Sequence, residues 1–253
     1  MKTAPKFETL QLEFDKAVAT LWLNRPHARN ALNMQMCRDI VSACVYLGED
    51  LDTRLVFVRA RGVAFCAGAD LKERKGMEKT EVLARRVEGF TAYSALESLA
   101  QPIIAVVHGA TFGSGAEIAA ACDFILASED TVFKYPEVGW GTVGATQRLP
   151  RALGARMAKE LLFTGRGIEA AEAKQLGLVN HVYRRDDLDK HLSEMAQAIV
   201  EADPLTVRLT KKSINNGMDM SREGAMGVEL MAIQQNLRQA HWKNSIETFG
   251  SVG

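Results

Sequence analysis

IIAVVHGATFGSGAEIAAACD, residues 103–123, is the stretch that decides the fold. Its first five residues, Ile103 to Val107, are apolar without alternation. A strand with one wet face alternates, so an unbroken apolar run predicts a strand buried on both faces. HGATFGSG (108–115) then turns the chain through closely spaced glycines, and an apolar helix begins at Ala116. Strand, glycine turn and helix in that order make half of a parallel α/β unit.

The flanking sequence repeats this alternation. Downstream, FILA (124–127) and VFKYPE (132–137) read as further strands. Upstream, Thr80 to Leu99 carries helical spacing, LVFVRA (55–60) is a β-branched strand, and Met34 to Leu47 is helical with Gly48 as its stop. Residues 7–23 alternate twice about Asp15-Lys16 and predict a hairpin. The last third is read as helices: Arg151–Phe163, Ala170–Gln175, Leu188–Val200, Pro204–Asn216 and Gly224–His241. The fold class is α/β, with a core over residues 1–200 and a helical region over 201–253.

Composition narrows the function. Lys plus Arg and Asp plus Glu both number 31, so the formal net charge is zero. A nucleic-acid partner is not expected, because phosphate binding draws on a basic excess. The start, MKTAPKFETL, has no apolar core of a secretory signal, and no run approaches a membrane span. A cytoplasmic protein without membrane contact is expected. Cys37, Cys44, Cys66 and Cys122 form no C-x-x-C pair and have no histidine cluster beside them. Free buried thiols, with neither metal nor disulfide, are the expectation.

Chemistry concentrates in a few places. Gly113-Ser114-Gly115-Ala116-Glu117 joins a tight turn to a helix start, where unpaired N–H groups favour a developing oxyanion. Two readings of Glu117 stand on these residues. It is a carboxylate whose pKa burial raises, or it closes a capping box with Ser114. Glu137, in KYPEVGWG (134–141), reads locally as a solvated loop carboxylate. CAGAD (66–70) reads either as a packing turn or as a loop presenting backbone N–H groups, with Asp70 capping the segment after it. His108 ends the buried strand and is expected to be hydrogen-bonded structurally.

Taken together, LNRPHARNAL (23–32), FCAGADLKE (65–73), the 103–123 stretch, Pro136-Glu137, TQRLPRALG (146–154) and LFTGRGIEAAEAKQLGLV (162–179) resemble the crotonase, or enoyl-CoA hydratase/isomerase, family. The resemblance covers nearly the whole chain. It implies a spiral of ββα units, a helical C-terminal trimerisation region, and a homotrimer or a hexamer built as a dimer of trimers.

The same resemblance implies an acyl-CoA substrate, with coenzyme A part of the substrate and no separate cofactor or metal. It places oxyanion-hole N–H groups at Ala69 and Ser114, and catalytic carboxylates at Glu117 and Glu137. Arg25, Ala28, Ala67, Asp70, Leu71 and Lys72 fall where the family holds CoA, with Lys72 or Arg25 facing its phosphates. The implied reaction is syn hydration of a 2-enoyl-CoA. Isomerisation, decarboxylation, thioester hydrolysis and the RNA binding of one family branch are the alternatives. Two departures stand out. GTVGATQRL (141–149) is about three residues shorter than the loop of many hydratases, G-x-x-P-G-A-G-G-T-Q-R-L. The C-terminal NSIETFGSVG (244–253) lacks the family's basic close.

Overall fold

The computed structural model describes residues 4–238 and Trp242. In chain order the elements are β1 (Leu10–Asp15), β2 (Val18–Leu23), α1 (Met34–Glu49), β3 (Leu55–Ala60), α2 (Leu71–Arg74), α3 (Lys79–Glu97), β4 (Ile103–Val107), β5 (Ala110–Phe112) and α4 (Ser114–Ala120). After these come β6 (Phe124–Ser128), β7 (Val132–Lys134), α5 (Arg148–Leu153), α6 (Ala155–Thr164), β8 (Gly167–Glu169), α7 (Ala170–Gln175), β9 (His181–Tyr183), α8 (Leu188–Glu201), α9 (Pro204–Gly217) and α10 (Arg222–Leu237).

Among the described residues the main sheet runs β1-β2-β3-β4-β6-β9. The β1–β2 hairpin is antiparallel, with Asp15 opposite Val18 and Lys16 in the left-handed region of its turn. Every later pairing in this sheet is parallel. A parallel return needs a crossover, which α1, α3 and α4 supply between successive strands.

The packing explains the unbroken apolar run of β4. Ile103, Ala105 and Val107 join one core with Ile40 and Leu47 of α1 and Leu96 of α3. Ile104 and Val106 face the other way, into a second core closed by Leu188, Leu192 and Ala196 of α8. The four cysteines are buried free thiols, and burial pushes Cys37 up to about 12.

The structure corrects several boundaries. The 108–115 segment is not all turn. Ala110–Phe112 form β5, which pairs with β7 and, through it, β8 in a small second sheet. The helix after it begins at Ser114, not Ala116. The predicted strand 132–137 stops at Lys134. The helix read over Arg151–Phe163 is two, α5 and α6, broken at Gly154. These short strands carry too little periodicity to be read in advance.

The final two helices pack on each other as a pair. Lys211 of α9 anchors them to the core, bridging Asp123 at 3.0 Å and donating to the Gln101 carbonyl. α10 buries none of its residues, and Met226, Leu230, Met231, Ile233 and Leu237 are exposed. The C-terminal NSIETFGSVG segment and the end of the helix predicted to His241 lie outside the described residues. No helix among the described residues is long and apolar enough to cross a membrane.

Candidate active site

Two loops are locked together backbone to backbone. Phe112 N–H donates to the Cys66 carbonyl at 2.9 Å, and Cys66 N–H to the Ala110 carbonyl at 3.1 Å. A Cβ on Gly115 would lie 2.4 Å from the Cys66 oxygen, so only glycine admits this approach. The first loop is also bridged to the segment after β2. Leu32 N–H donates to Gly68 O and Asp70 N–H to Leu32 O. In this parallel bridge the Ala69 N–H points away from Leu32. Ser114 is the first residue of α4, behind the N-cap Gly113. Its N–H therefore has no acceptor within its own helix.

The capping box, one of the two readings of Ser114 and Glu117, does not form. Gly113, with φ of 46°, holds the N-cap position and Ser114 has already entered the helix. The Ser114 hydroxyl instead lies near the buried Tyr93 phenol. Glu117 is released to face Arg148, whose Nη1 donates to its Oε2 at 3.3 Å. Glu97 holds the same guanidinium by a two-pronged bridge of 2.7 and 2.8 Å. The Tyr93 ring lies 5.2 Å from the guanidinium carbon. Burial raises the Glu117 pKa; Arg148 opposes this, while Glu137 and Glu97 add to it.

Sequence reasoning does not single out Arg148 or Glu97, although Arg148 lies inside the TQRLPRALG motif. A basic residue opening a helix gives no local sign of a partner 31 positions away. Arg148→Met is expected to destabilise the fold by about 2–3 kcal/mol, since charged hydrogen bonds are lost and two carboxylates are left facing each other. The midpoint of a urea melt checks this. An unchanged midpoint would mean that the bridges contribute nothing.

Glu137 is not the solvated loop residue that its neighbours imply. It is 8% exposed. Its Oε2 is buried and finds no hydrogen-bond partner. A Cβ on Gly113 would lie 2.9 Å from its Oε1, and one on Gly144 would lie 2.8 Å from its Cγ. The carboxylate is thus seated between two glycines. Burial is the largest influence on its pKa and raises it. Glu117 N–H bonds the Gly113 carbonyl at 2.9 Å, so Gly113 is flanked by both glutamates.

The remaining candidates line the first loop. Asp70 caps α2, accepting from Lys72 and Glu73 N–H, as expected. It also takes Arg25, whose guanidinium bonds Asp70 Oδ2 at 3.2 Å and the Ala31 carbonyl at 2.5 Å. The Arg25 charge is therefore engaged within the loop. Ala67 N–H is bound to the carbonyl of Arg29, the residue after Ala28. Leu71 and Lys72 are exposed. His108 has the structural part expected of it, with Nε2 2.9 Å from the Gly62 carbonyl.

A family model described as enoyl-CoA hydratase/isomerase matches residues 13–251. The chain belongs to this family. It is 36% identical to the short-chain-enoyl-CoA hydratase of Clostridium acetobutylicum over 94% of this chain and 93% of that one. It is likewise 36% identical to the crotonyl-CoA hydratase of Syntrophomonas wolfei, over 88% and 87%. The crystal structure of an enoyl-CoA hydratase from Bacillus anthracis superposes with a TM-score of 0.93 at 32% identity, covering 96% of each chain. The α/β architecture of this family member is thus the crotonase fold.

Proposed function

We propose that this family member is an enoyl-CoA hydratase that adds water reversibly across the double bond of a 2-enoyl-CoA thioester. The observation that carries the reading is the pair of buried carboxylates on either side of Gly113, one paired with a cation and the other with an unpartnered oxygen. Hydration needs one carboxyl group that takes a proton and one that gives a proton, and unlike surroundings divide those roles.

In the proposed reaction Glu117, with Arg148 favouring its anion, takes a proton from water as the water oxygen bonds Cβ. The π electrons move onto the thioester carbonyl as an enolate. The N–H groups of Ala69 and Ser114 hold the oxyanion in place. Glu137, whose protonated form burial favours, gives its proton to Cα. The product is a 3-hydroxyacyl-CoA, and solvent exchange resets both carboxyl groups. CoA comes with the substrate, and no further cofactor or metal enters.

Ala28, Ala67, Asp70 and Leu71 would line the CoA path, with Arg25 setting the loop through Asp70. Lys72 is the cation left for a CoA phosphate. The exposed apolar residues of α10 and the groove it forms with α9, lined by Leu209, Ile214, Met218 and Met226, would be covered in a homotrimer or a dimer of trimers. This assigns residues 201–253 to assembly. The soluble, cytoplasmic setting expected of the chain suits a CoA ester substrate.

The test is incubation of purified protein with crotonyl-CoA. The expected result is loss of the enoyl-thioester absorbance and formation of 3-hydroxybutyryl-CoA. No loss with crotonyl-CoA or any branched enoyl-CoA would overturn the reading. A product in which the double bond has only moved would assign an isomerase instead.

A further inference from the structure

We propose that Arg86 is a positioning residue for Glu137, acting through the 142–144 segment, and this rests on the hydratase reading above. Arg86 projects from the middle of α3, far from Glu137 in sequence. Its Nη2 donates to Thr142 Oγ1 at 2.7 Å and to the Val143 carbonyl at 2.9 Å. The next residue, Gly144, is the wall against which the Glu137 side chain rests, so closely that a Cβ there would lie 2.8 Å from Glu137 Cγ. One guanidinium nitrogen therefore ties α3 to the backbone that seats the carboxylate.

The backbone around the tie is costly to hold at Ala145, whereas Gly141 takes the same conformation freely. Ala145 has φ of 55°, in the left-handed region, and Gly141 has φ of 64°. An L-residue there costs roughly 1–2 kcal/mol, and such conformations persist only where neighbours fix them. The loop is short, and the Arg86 bonds fall midway between these two residues. They offset the strain and define where Gly144 stands.

Arg86 also reaches Glu137 electrostatically. It forms no ion pair with a carboxylate among the described residues, unlike Arg85, which bridges Glu73 at 2.9 Å. Burial raises the Glu137 pKa; a hydrogen bond from the Glu137 backbone and, after it, the positive charge of Arg86 oppose this. The other titratable groups near Glu137 are Glu117 on α4, Tyr135 on its own segment and, beyond Glu117, Arg148 on α5. Arg86 is thus the cation from α3 that restrains how far burial raises Glu137.

The test compares Arg86→Met, Arg86→Lys and Thr142→Val with Glu137→Gln as reference, tracking kcat, KM, pH profile and Tm with crotonyl-CoA. In the hydration direction Glu137 must be protonated, so the alkaline limb of kcat reports its loss of a proton. Arg86→Met should lower kcat on the order of tenfold with a smaller change in KM, as misplacement of a reacting group does. It should also move the alkaline limb to higher pH, because a cation that favoured the carboxylate is gone. Arg86→Lys should return the limb toward its original pH with partial recovery of kcat. Thr142→Val, which keeps the cation and loses one bond, should lower kcat and leave the limb in place. A merely structural role would lower Tm and activity at every pH without moving the limb.

If Glu137→Gln abolishes hydration while Arg86→Met leaves kcat and the limb unchanged, the role of Arg86 is overturned and the hydratase reading stands. If Glu137→Gln leaves hydration intact, the assignment of Glu137 fails and the role of Arg86 falls with it. Should Arg86→Met fail to fold, an unchanged kcat in both Arg86→Lys and Thr142→Val would also overturn the proposal.

Discussion

Glu137→Gln is expected to slow hydration of crotonyl-CoA by about 10²–10⁴-fold, the usual worth of a positioned general acid or base. The amide has nearly the shape of the carboxyl group, so it fits the same space between Gly113 and Gly144. What it lacks is a proton to give to Cα. KM should change little, since the group is assigned to the transition state rather than to binding. A rate within a few-fold of wild type would remove Glu137 from the mechanism. The same substitution should raise Tm. Glu137 Oε2 is buried without a partner, and an ionised carboxyl in that position opposes folding.

The two effects share a pH dependence with a definite sign. The folded-state pKa of Glu137 lies above its ordinary value, mainly through burial. Such a group contributes stability that is fully present below the unfolded pKa and is lost as pH rises through the folded pKa. Glutamine does not titrate. The Tm advantage of Glu137→Gln over wild type should therefore be small in acid and should grow toward neutral pH. Glu117 shifts in the same direction, but Arg148 opposes the effect of burial there. Glu117→Gln should then show a weaker pH-dependent gain, or a loss as the Arg148 bond weakens. Equal Tm profiles for the two variants would mean that their surroundings do not differ as described.

The range of each interaction decides how much of the fold and the site is legible in the sequence. β4 and the glycine turn after it can be read because burial on both faces leaves an unbroken apolar run, and close backbone approach leaves glycines. Both are local signatures. β5, β7 and β8 have three residues each, too few to display a period, and their existence depends on each other. Glu137 reads locally as solvated because the residues that bury it, Gly113 and Gly144, lie on other segments. The Ser114–Glu117 pattern is ambiguous until Gly113 is seen to hold the N-cap and Arg148 to hold the carboxylate. The resemblance to a family gathers Ala69, Ser114, Glu117 and Glu137 into one set. Arg148, Glu97 and Arg86 escape because a long-range ion pair or tether leaves no mark on the residues beside it.

Gly115→Ala is expected to be severely damaging for a substitution of a single hydrogen by a methyl group. The new Cβ would stand 2.4 Å from the Cys66 oxygen and 2.7 Å from the Cys66 Cβ. The clash is with backbone, so no side chain can swing aside. Either α4 or the 66–70 loop must shift, and the bonds Phe112 N–H to Cys66 O and Cys66 N–H to Ala110 O resist that. Overpacking of this kind costs about 1–3 kcal/mol, which a denaturant melt would show. Activity should suffer more than stability. Under the proposed mechanism Ala69 belongs to one loop and Ser114 to the other, and the spacing of their N–H groups is set where Gly115 touches Cys66. A displacement near 1 Å there is worth on the order of 10²-fold in rate. Gly48→Ala is the matched control. It lies in α1 with nothing within 4 Å of the added Cβ, so it should be neutral or stabilise by about 0.5–1 kcal/mol. If Gly115→Ala keeps wild-type kcat at wild-type Tm, the contact between the two loops does not set the oxyanion geometry. If it loses rate while Gly48→Ala does not, the requirement at position 115 is for space against Cys66 and not for chain flexibility.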